Sequence, residues 1–312
     1  MSVRAMFTSL ATTLALSLIA CAQATSPSSS PASAPSSPAP SPGAVAPVTL
    51  TYLGVAGWQV TEGEHALLVD PYFSRVRPKE EGAPVAPDEA TIARYAPAHA
   101  DGILVGHSHF DHVLDVPSIA KRTGAAVLGS ESALNVARAS GVSEQRLLLA
   151  RGGETFALGP FSVRPVRALH GVWGGEKPGQ IPRNVELPLT SAGYALGDVF
   201  QYLVRVAGRT VFIVGSPNFI ESEIEGLRPD VAIVAGPSDK VPDYACRLMR
   251  ALGKPPLVLA NHFDNHAEPL GPKQMDVESE RRADLAGFER EIHACAPQTK
   301  FVVPAHFRPI SI

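Results

Sequence analysis

Four β-rich runs in this chain each give out at a histidine. "GILVG" opens into "HSHFDH" at His107, "FSVRPVRALH" ends on His170, "PLVLANH" on His262 and "KFVVPAH" on His306. Strand ends are where an α/β protein usually keeps its site, so the fold must account for what these imidazoles do there. The stretch "GHSHFDHV" is the densest, with His107, His109, Asp111 and His112 inside six consecutive positions.

In His-Ser-His the two imidazoles are two residues apart. On chain that is still extended after a strand both point to the same side, so they can share one ion. Asp111 and His112 are adjacent, and a turn between Phe110 and Val113 directs this pair at a second position nearby. Imidazole and carboxylate together suit zinc or iron, and the absence of neighbouring cysteines argues against a structural zinc knot. A polar loop with chance histidines is opposed by the cost of burying several imidazoles without partners. His65 in a turn, His99 in a polar loop and His293 on a helix read as surface or core residues.

From Val48 onward short β-rich runs alternate with helical patterns. "VTLTYLG", "WQVTE" and "HALLVD" read as consecutive antiparallel strands. After a Pro- and charge-rich loop from Pro71 come a short helix near Asp88 to Tyr95, the buried strand "GILVG", the helix "VPSIAKRTG", the strand "AAVLGS" and the helix "SALNVARASG", with Gly141 in a C-cap position. The second half follows the same pattern without repeating the residues. It has the strand "GPFSVRPVRALH", a hairpin "QYLVRVAGRTVFIVG" turning at Ala207 to Arg209, then "VAIVAG", "PLVLANH" and "KFVVPAH" as strands between two helical stretches. Two mixed β-rich halves flanked by helices predict a four-layer αββα sandwich or a large mixed α/β sheet. The loop from Gly171 to Val199 is too long for a mere connection and is the expected source of substrate contacts. Within it, Trp173 either lines a pocket or packs on the sheet.

Net charge is −3, with acids and bases interspersed, so no electrostatic footprint for nucleic acid is present and none is expected as a partner. The first twenty residues read as a signal peptide: "MSVR" supplies a basic start and "LATTLALSLIA" an apolar core too short to span a bilayer comfortably. Its ending, "LIAC", resembles the lipobox of bacterial lipoproteins, which makes Cys21 a lipidated first residue. The alternative is an ordinary signal cleaved after "CAQA". Residues 21–47 are almost wholly Ser, Pro and Ala, a partly extended spacer that buries no core. The expectation is an exported protein, lipid-anchored to a bacterial membrane and facing the periplasm or exterior, with its folded domain over residues 48–312. Cys246 and Cys295 either pair in that oxidising compartment or stay as two separately buried thiols.

"HSHFDH" matches the H-x-H-x-D-H signature of the metallo-β-lactamase superfamily of metal-dependent hydrolases. "YLGVAGWQV", "ALLVDPYFS", "DGILVGHSHFDH" and "LANHFDNH" resemble, in order, the landmarks of its ascorbate-phosphate-lactonase-like branch, a similarity covering roughly Val48 to Ile312. The resemblance implies an αββα sandwich with a metal centre at one edge between the two sheets. It implies His107, His109 and His170 as ligands of a first metal, and Asp111, His112 and His262 as ligands of a second. The chain departs from the family where a bridging aspartate usually follows Gly215, because here Ser216 stands in its place and a neutral hydroxyl is a poor ligand. Asp264, His266 and His306 are candidates to replace that carboxylate. By the same resemblance Asp70 is a partner behind a ligating imidazole, against the plain reading of an Asp-Pro turn.

Three neutral histidines leave an open fourth position on zinc, the arrangement that lowers the pKa of bound water to about 7. Asp111 then serves either as a ligand of a weakly held second ion or as the general base that orients the attacking water. The expectation is therefore a hydrolase that uses zinc, with manganese or iron as substitutes, to cleave an ester, lactone or phosphodiester bond in a small molecule. A missing anion leaves the centre more positive and favours an anionic substrate. The competing expectation is a non-catalytic lipoprotein that uses the same fold to bind a metal or ligand.

Overall fold

The computed structural model describes residues 47–77, 80, 82–172, 177–271 and 279–312. The expected leader, the lipid-bearing Cys21, all but the last residue of the Ser/Pro/Ala linker, and Trp173 lie outside the described residues.

The first half opens as an antiparallel meander of β1 (Val48–Gly54), β2 (Gly57–Glu62) and β3 (His65–Val69). It continues in parallel with β4 (Gly102–Leu104), β5 (Ala126–Gly129) and β6 (Leu147–Leu149). The connections hold α1 (Glu89–Tyr95), α2 (Phe110–Val113), α3 (Val116–Thr123) and α4 (Glu131–Ala139). The second half has the same plan: β7 (Phe156–Leu158), β8 (Phe161–Arg167), β9 (Phe200–Val206) and β10 (Arg209–Val214) are antiparallel, and β11 (Val231–Ala235), β12 (Leu257–Asn261) and β13 (Lys300–Val302) are parallel. Its connections hold α5 (Glu221–Ile224), α6 (Tyr244–Ala251) and α7 (Ser279–Cys295), and a last strand, β14 (Pro309–Ser311), returns to pair with β1. Two seven-stranded sheets result.

The side-chain period of two sorts these strands into layers. In β3, Leu67 and Val69 enter a central apolar cluster between the sheets, while Leu68 joins a second cluster under α3 and α4. In β11, Val231 and Ile233 point to the centre and Ala232 and Val234 to a third cluster under α6 and α7. Every residue of β11 is buried, as expected of a parallel strand covered on both faces. Three clusters separated by two sheets make the four-layer αββα sandwich, and the alternative of one large mixed sheet is excluded.

Local signals act as their chemistry predicts. Asp88 caps α1 by accepting from the Ala90 and Thr91 amides, and Ser130 caps α4 by accepting from Ala133. The β9–β10 hairpin turns through Ala207 and Gly208, both at positive φ. The strands β6, β7 and β14 carry no sequence signal, because runs of three residues, such as "LLL", are too short to show a period.

Cys246 on α6 and Cys295 on α7 form a disulfide with Cα atoms 5.5 Å apart, which resolves the choice between paired and separate thiols. The bond joins two helices of the outer layer across a sequence separation of 49 residues. Replacing both cysteines by alanine is expected to lower stability by about 2–4 kcal/mol. Urea unfolding with and without reductant checks this: reductant should weaken the parent to the level of the variant and leave the variant unchanged.

Candidate metal centre

The C-terminal ends of the parallel-running strands meet at one edge. After β3 comes Asp70, after β4 the His107–His112 stretch, after β8 His170, after β10 Ser216, and after β12 His262. No sequence rule joins these segments; the shared strand direction does.

His107, His109 and His170 form one donor group, each offering a nitrogen within 4.8 Å of the others. Their rings stand edge to face around a common point: all three pairs of centroids are 4.7 Å apart, with interplanar angles of 82°, 78° and 81°. His107 Nε2 and His109 Nδ1 face each other at 3.1 Å. The His170 Nδ1 lies 2.8 Å from the Gly171 carbonyl oxygen, which assigns the proton to Nδ1 and leaves Nε2 as the ligating atom. Burial, then the neighbouring His112 imidazole, pushes His107 well below the usual histidine range, and burial lowers His170 as well. Neutral imidazoles converging in this way fit the requirements of a borderline-soft divalent ion such as zinc.

Asp111, His112 and His262 form the second group. Asp111 Oδ2 lies 3.6 Å from His112 Nε2 and 3.4 Å from His262 Nε2. The groups abut, with the His107 and His112 rings 3.8 Å apart. Burial alone would raise the Asp111 carboxyl, but His112 and then His262 hold it well below the usual carboxylate range. Burial alone would lower His112, but Asp70 and then Asp111 raise it.

Asp70 explains how this packing is possible. It is buried, its Oδ1 accepts the Gly106 amide at 2.7 Å, and its Oδ2 lies 2.9 Å from His112 Nδ1. His112 is thereby turned so that Nε2 faces Asp111. The flanking glycines leave the room: a Cβ on Gly106 would come within 2.8 Å of the Asp70 carboxylate, and one on Gly215 within 3.0 Å. Asp115 secures the same segment from below, accepting the Phe73 and Ser74 amides at 2.6 and 2.8 Å.

The remaining candidates take other roles. The Ser216 hydroxyl accepts the Gly171 amide at 2.8 Å, and Asn218 Nδ2 donates to the His170 carbonyl at 3.0 Å. Ser216, with Asn218, thus holds the backbone that carries His170. Asp264 and His306 are corrected as substitutes for the bridge, because they pair with each other at 2.8 Å in a separate buried cluster with Arg75 and Tyr52. His266 lies against Phe110, with ring centroids 5.7 Å apart, and belongs to neither donor group. His65 pairs with Asp101 and His293 with the Thr299 carbonyl, away from the centre.

A cleft of about 910 Å³ opens onto both groups. Beyond the histidines it is lined by the segment after β11, Gly236 to Asp239, and by α7 through Asp284, Leu285, Phe288 and Glu291. Nothing in the sequence marks these walls, which read there only as a connection after a strand and as a helix. The expectation that the Gly171 to Val199 loop supplies the contacts is not met by its described residues beyond the His170 corner. Ile181 packs onto α4 through Ser132 and Asn135, while the Ala195 and Leu196 carbonyls accept the hydroxyl and amide of Ser108, between His107 and His109.

Two mixed sheets packed face to face, with a histidine and aspartate centre at their common strand ends, define the architectural class. The chain belongs to the β-lactamase superfamily: the Beta-lactamase superfamily domain matches residues 65–237. A protein of Heliobacterium modesticaldum named as a metal-dependent hydrolase is 26% identical over 273 residues, covering 83% of this chain and 99% of that one. Igni18, a metallo hydrolase from Ignicoccus hospitalis, superposes with a TM-score of 0.57 at 17% identity, covering 85% of this chain and 98% of that one. CmlA, a diiron β-hydroxylase from Streptomyces venezuelae, superposes with a TM-score of 0.54 at 16% identity, covering 86% and 54%. At such identities the structural matches speak for the fold alone.

Asp70→Asn keeps an acceptor for Gly106 but replaces the charge behind His112. It is expected to weaken metal binding by about 10–100-fold, read by calorimetric titration of the metal-free protein.

Proposed function

We propose that this protein is a metal-dependent hydrolase that cleaves an ester, lactone or phosphodiester bond in a small molecule. The observation that carries the reading is the trio of mutually perpendicular imidazoles with equal centroid spacings of 4.7 Å. Zinc suits this neutral nitrogen set better than magnesium, and manganese or iron are the substitutes it would accept. His107, His109 and His170 would hold such an ion, and zinc bound there would supply a water activated for attack at neutral pH.

The chain's own residues do the rest. Burial holds His107 and His170 below the usual histidine range, and with His109 they would present their lone pairs to the ion. Ser216 and Asn218 fix the backbone on both sides of the His170 peptide, so that ring keeps its direction. Asp111, ionised beside His112 and His262, would either orient the attacking water or serve as a ligand of a second ion. The described lining of the cleft holds no lysine or arginine, so an anionic group on the substrate would find its partner in the ion rather than in the walls.

Elemental analysis followed by assays on a panel of esters, lactones and phosphodiesters tests the reading. Bound zinc and activity abolished by a chelator are expected; a metal-free protein, or turnover indifferent to chelation, overturns it. Turnover also separates the enzyme from a metal-binding protein on the same fold.

The same reading places the enzyme outside the cytoplasm, tethered through lipid on Cys21 by the Ser/Pro/Ala spacer. The Cys246–Cys295 disulfide supports the location outside the cytoplasm, since such bonds persist in oxidising compartments. Cys21→Ser is expected to move the protein from the membrane pellet to the soluble fraction; retention in the pellet overturns the tether.

A further inference from the structure

Asp264 stands two residues beyond His262 and is almost fully enclosed, yet it takes no place in either donor group. Its oxygens collect four donors. Oδ1 accepts the Tyr52 hydroxyl at 2.9 Å and the Val55 amide at 2.7 Å; Oδ2 accepts Arg75 Nη2 at 3.0 Å and faces His306 Nε2 at 2.8 Å. These donors come from β1, from the turn after it, from the loop after β3 and from the segment between β13 and β14. Gly54 is required here, because a Cβ on it would lie 1.8 Å from the Arg75 guanidinium.

This network meets the backbone of His262. His262 donates its amide to the Val55 carbonyl at 2.9 Å, and Val55 donates its own amide to Asp264. His262 has φ 54° and Val55 φ 53°, the left-handed region that a β-branched residue rarely enters. Such a conformation persists only where its surroundings enforce it. The turn it produces carries the His262 ring to Asp111, with Nε2 3.4 Å from Oδ2. The first donor group is held by other contacts: His107 and His109 follow β4, and the His170 backbone is held by Ser216 and Asn218.

We propose that Asp264 is a positioning residue that sets His262, and with it the ability of the Asp111, His112 and His262 group to take an ion, independently of the His107, His109 and His170 group. Tyr52, Arg75 and His306 act through it. The inference rests on the reading of the two groups as metal sites. It makes the C-terminal segment part of the centre, since His306 reaches Asp264 only because β14 pairs with β1.

Cobalt titration of the metal-free full-length protein tests this, with stoichiometry from calorimetry and site geometry from the cobalt absorption bands. The parent should take two equivalents. Asp264→Asn should keep the first at parental affinity and weaken the second at least tenfold, as should a His262→Ala control. Two ions at parental affinity in a folded Asp264→Asn protein overturn the inference alone, and equal loss of both ions overturns it in favour of a general structural role. A parent that binds no cobalt, or a single ion, removes the two-site reading and this inference with it. If Asp264→Asn does not fold, Tyr52→Phe decides: removing one donor should weaken only the second ion several-fold, and an unchanged second ion overturns the proposal.

Discussion

A buried carboxylate, Asp70, is the constraint on which the centre depends. It sits at the end of β3 with its backbone amide bonded to the Leu104 carbonyl, so its position is set by the pairing of β3 and β4. From there one oxygen takes the amide of Gly106 and the other faces His112. A carboxylate removed from water must be paired and hydrogen-bonded, and these two partners bracket the stretch that bears the His107, His109 and His112 donors. Satisfying Asp70 therefore fixes the curvature of that stretch.

Around this carboxylate the centre divides labour by charge. Three imidazoles are gathered as one donor group, with burial holding His107 and His170 below the usual histidine range, while two adjacent imidazoles hold Asp111 well below the usual carboxylate range. The division is made without any cationic side chain in the described lining of the cleft. Arg75 is nearby but committed to Asp264 and to the Asn265 carbonyl. The field at the reacting atoms is thus left to the donor groups and to whatever ion they hold.

The backbone shows where this order is enforced. Val55, Asp70, Arg75, His262 and Phe307 all have positive φ without being glycine, and all lie on the segments that converge at this edge. The sheets beneath are regular, and their pairing and three apolar clusters hold the strand ends rigidly enough to impose these conformations. The chemistry sits in the loops, and the loops are shaped by carboxylates anchored in the sheets, Asp70 and Asp115 on one side and Asp264 on the other.

Much of this is legible in the sequence. The alternation in "HALLVD" and the continuous apolar run of "VAIVAG" specify half-covered and fully covered strands, since side-chain period and burial are local properties. The spacing His-Ser-His puts two imidazoles in one donor group for the same reason. What the sequence leaves open is every relation across strands: whether Cys246 meets Cys295, which donor Ser216 serves, and whether Asp264 and His306 face the histidines or each other. Those outcomes depend on register and on which strand ends become neighbours. A serine or aspartate after a strand carries no mark of the partner that a segment 45 or 209 residues away will bring to it. The sequence by itself determined the strands with their covered faces and the histidine motif, because these follow from short-range pattern, and left open whether the strands form one sheet or two. Only the tertiary structure decided which polar groups serve the centre and which brace it, because hydrogen-bond partners are assigned by packing.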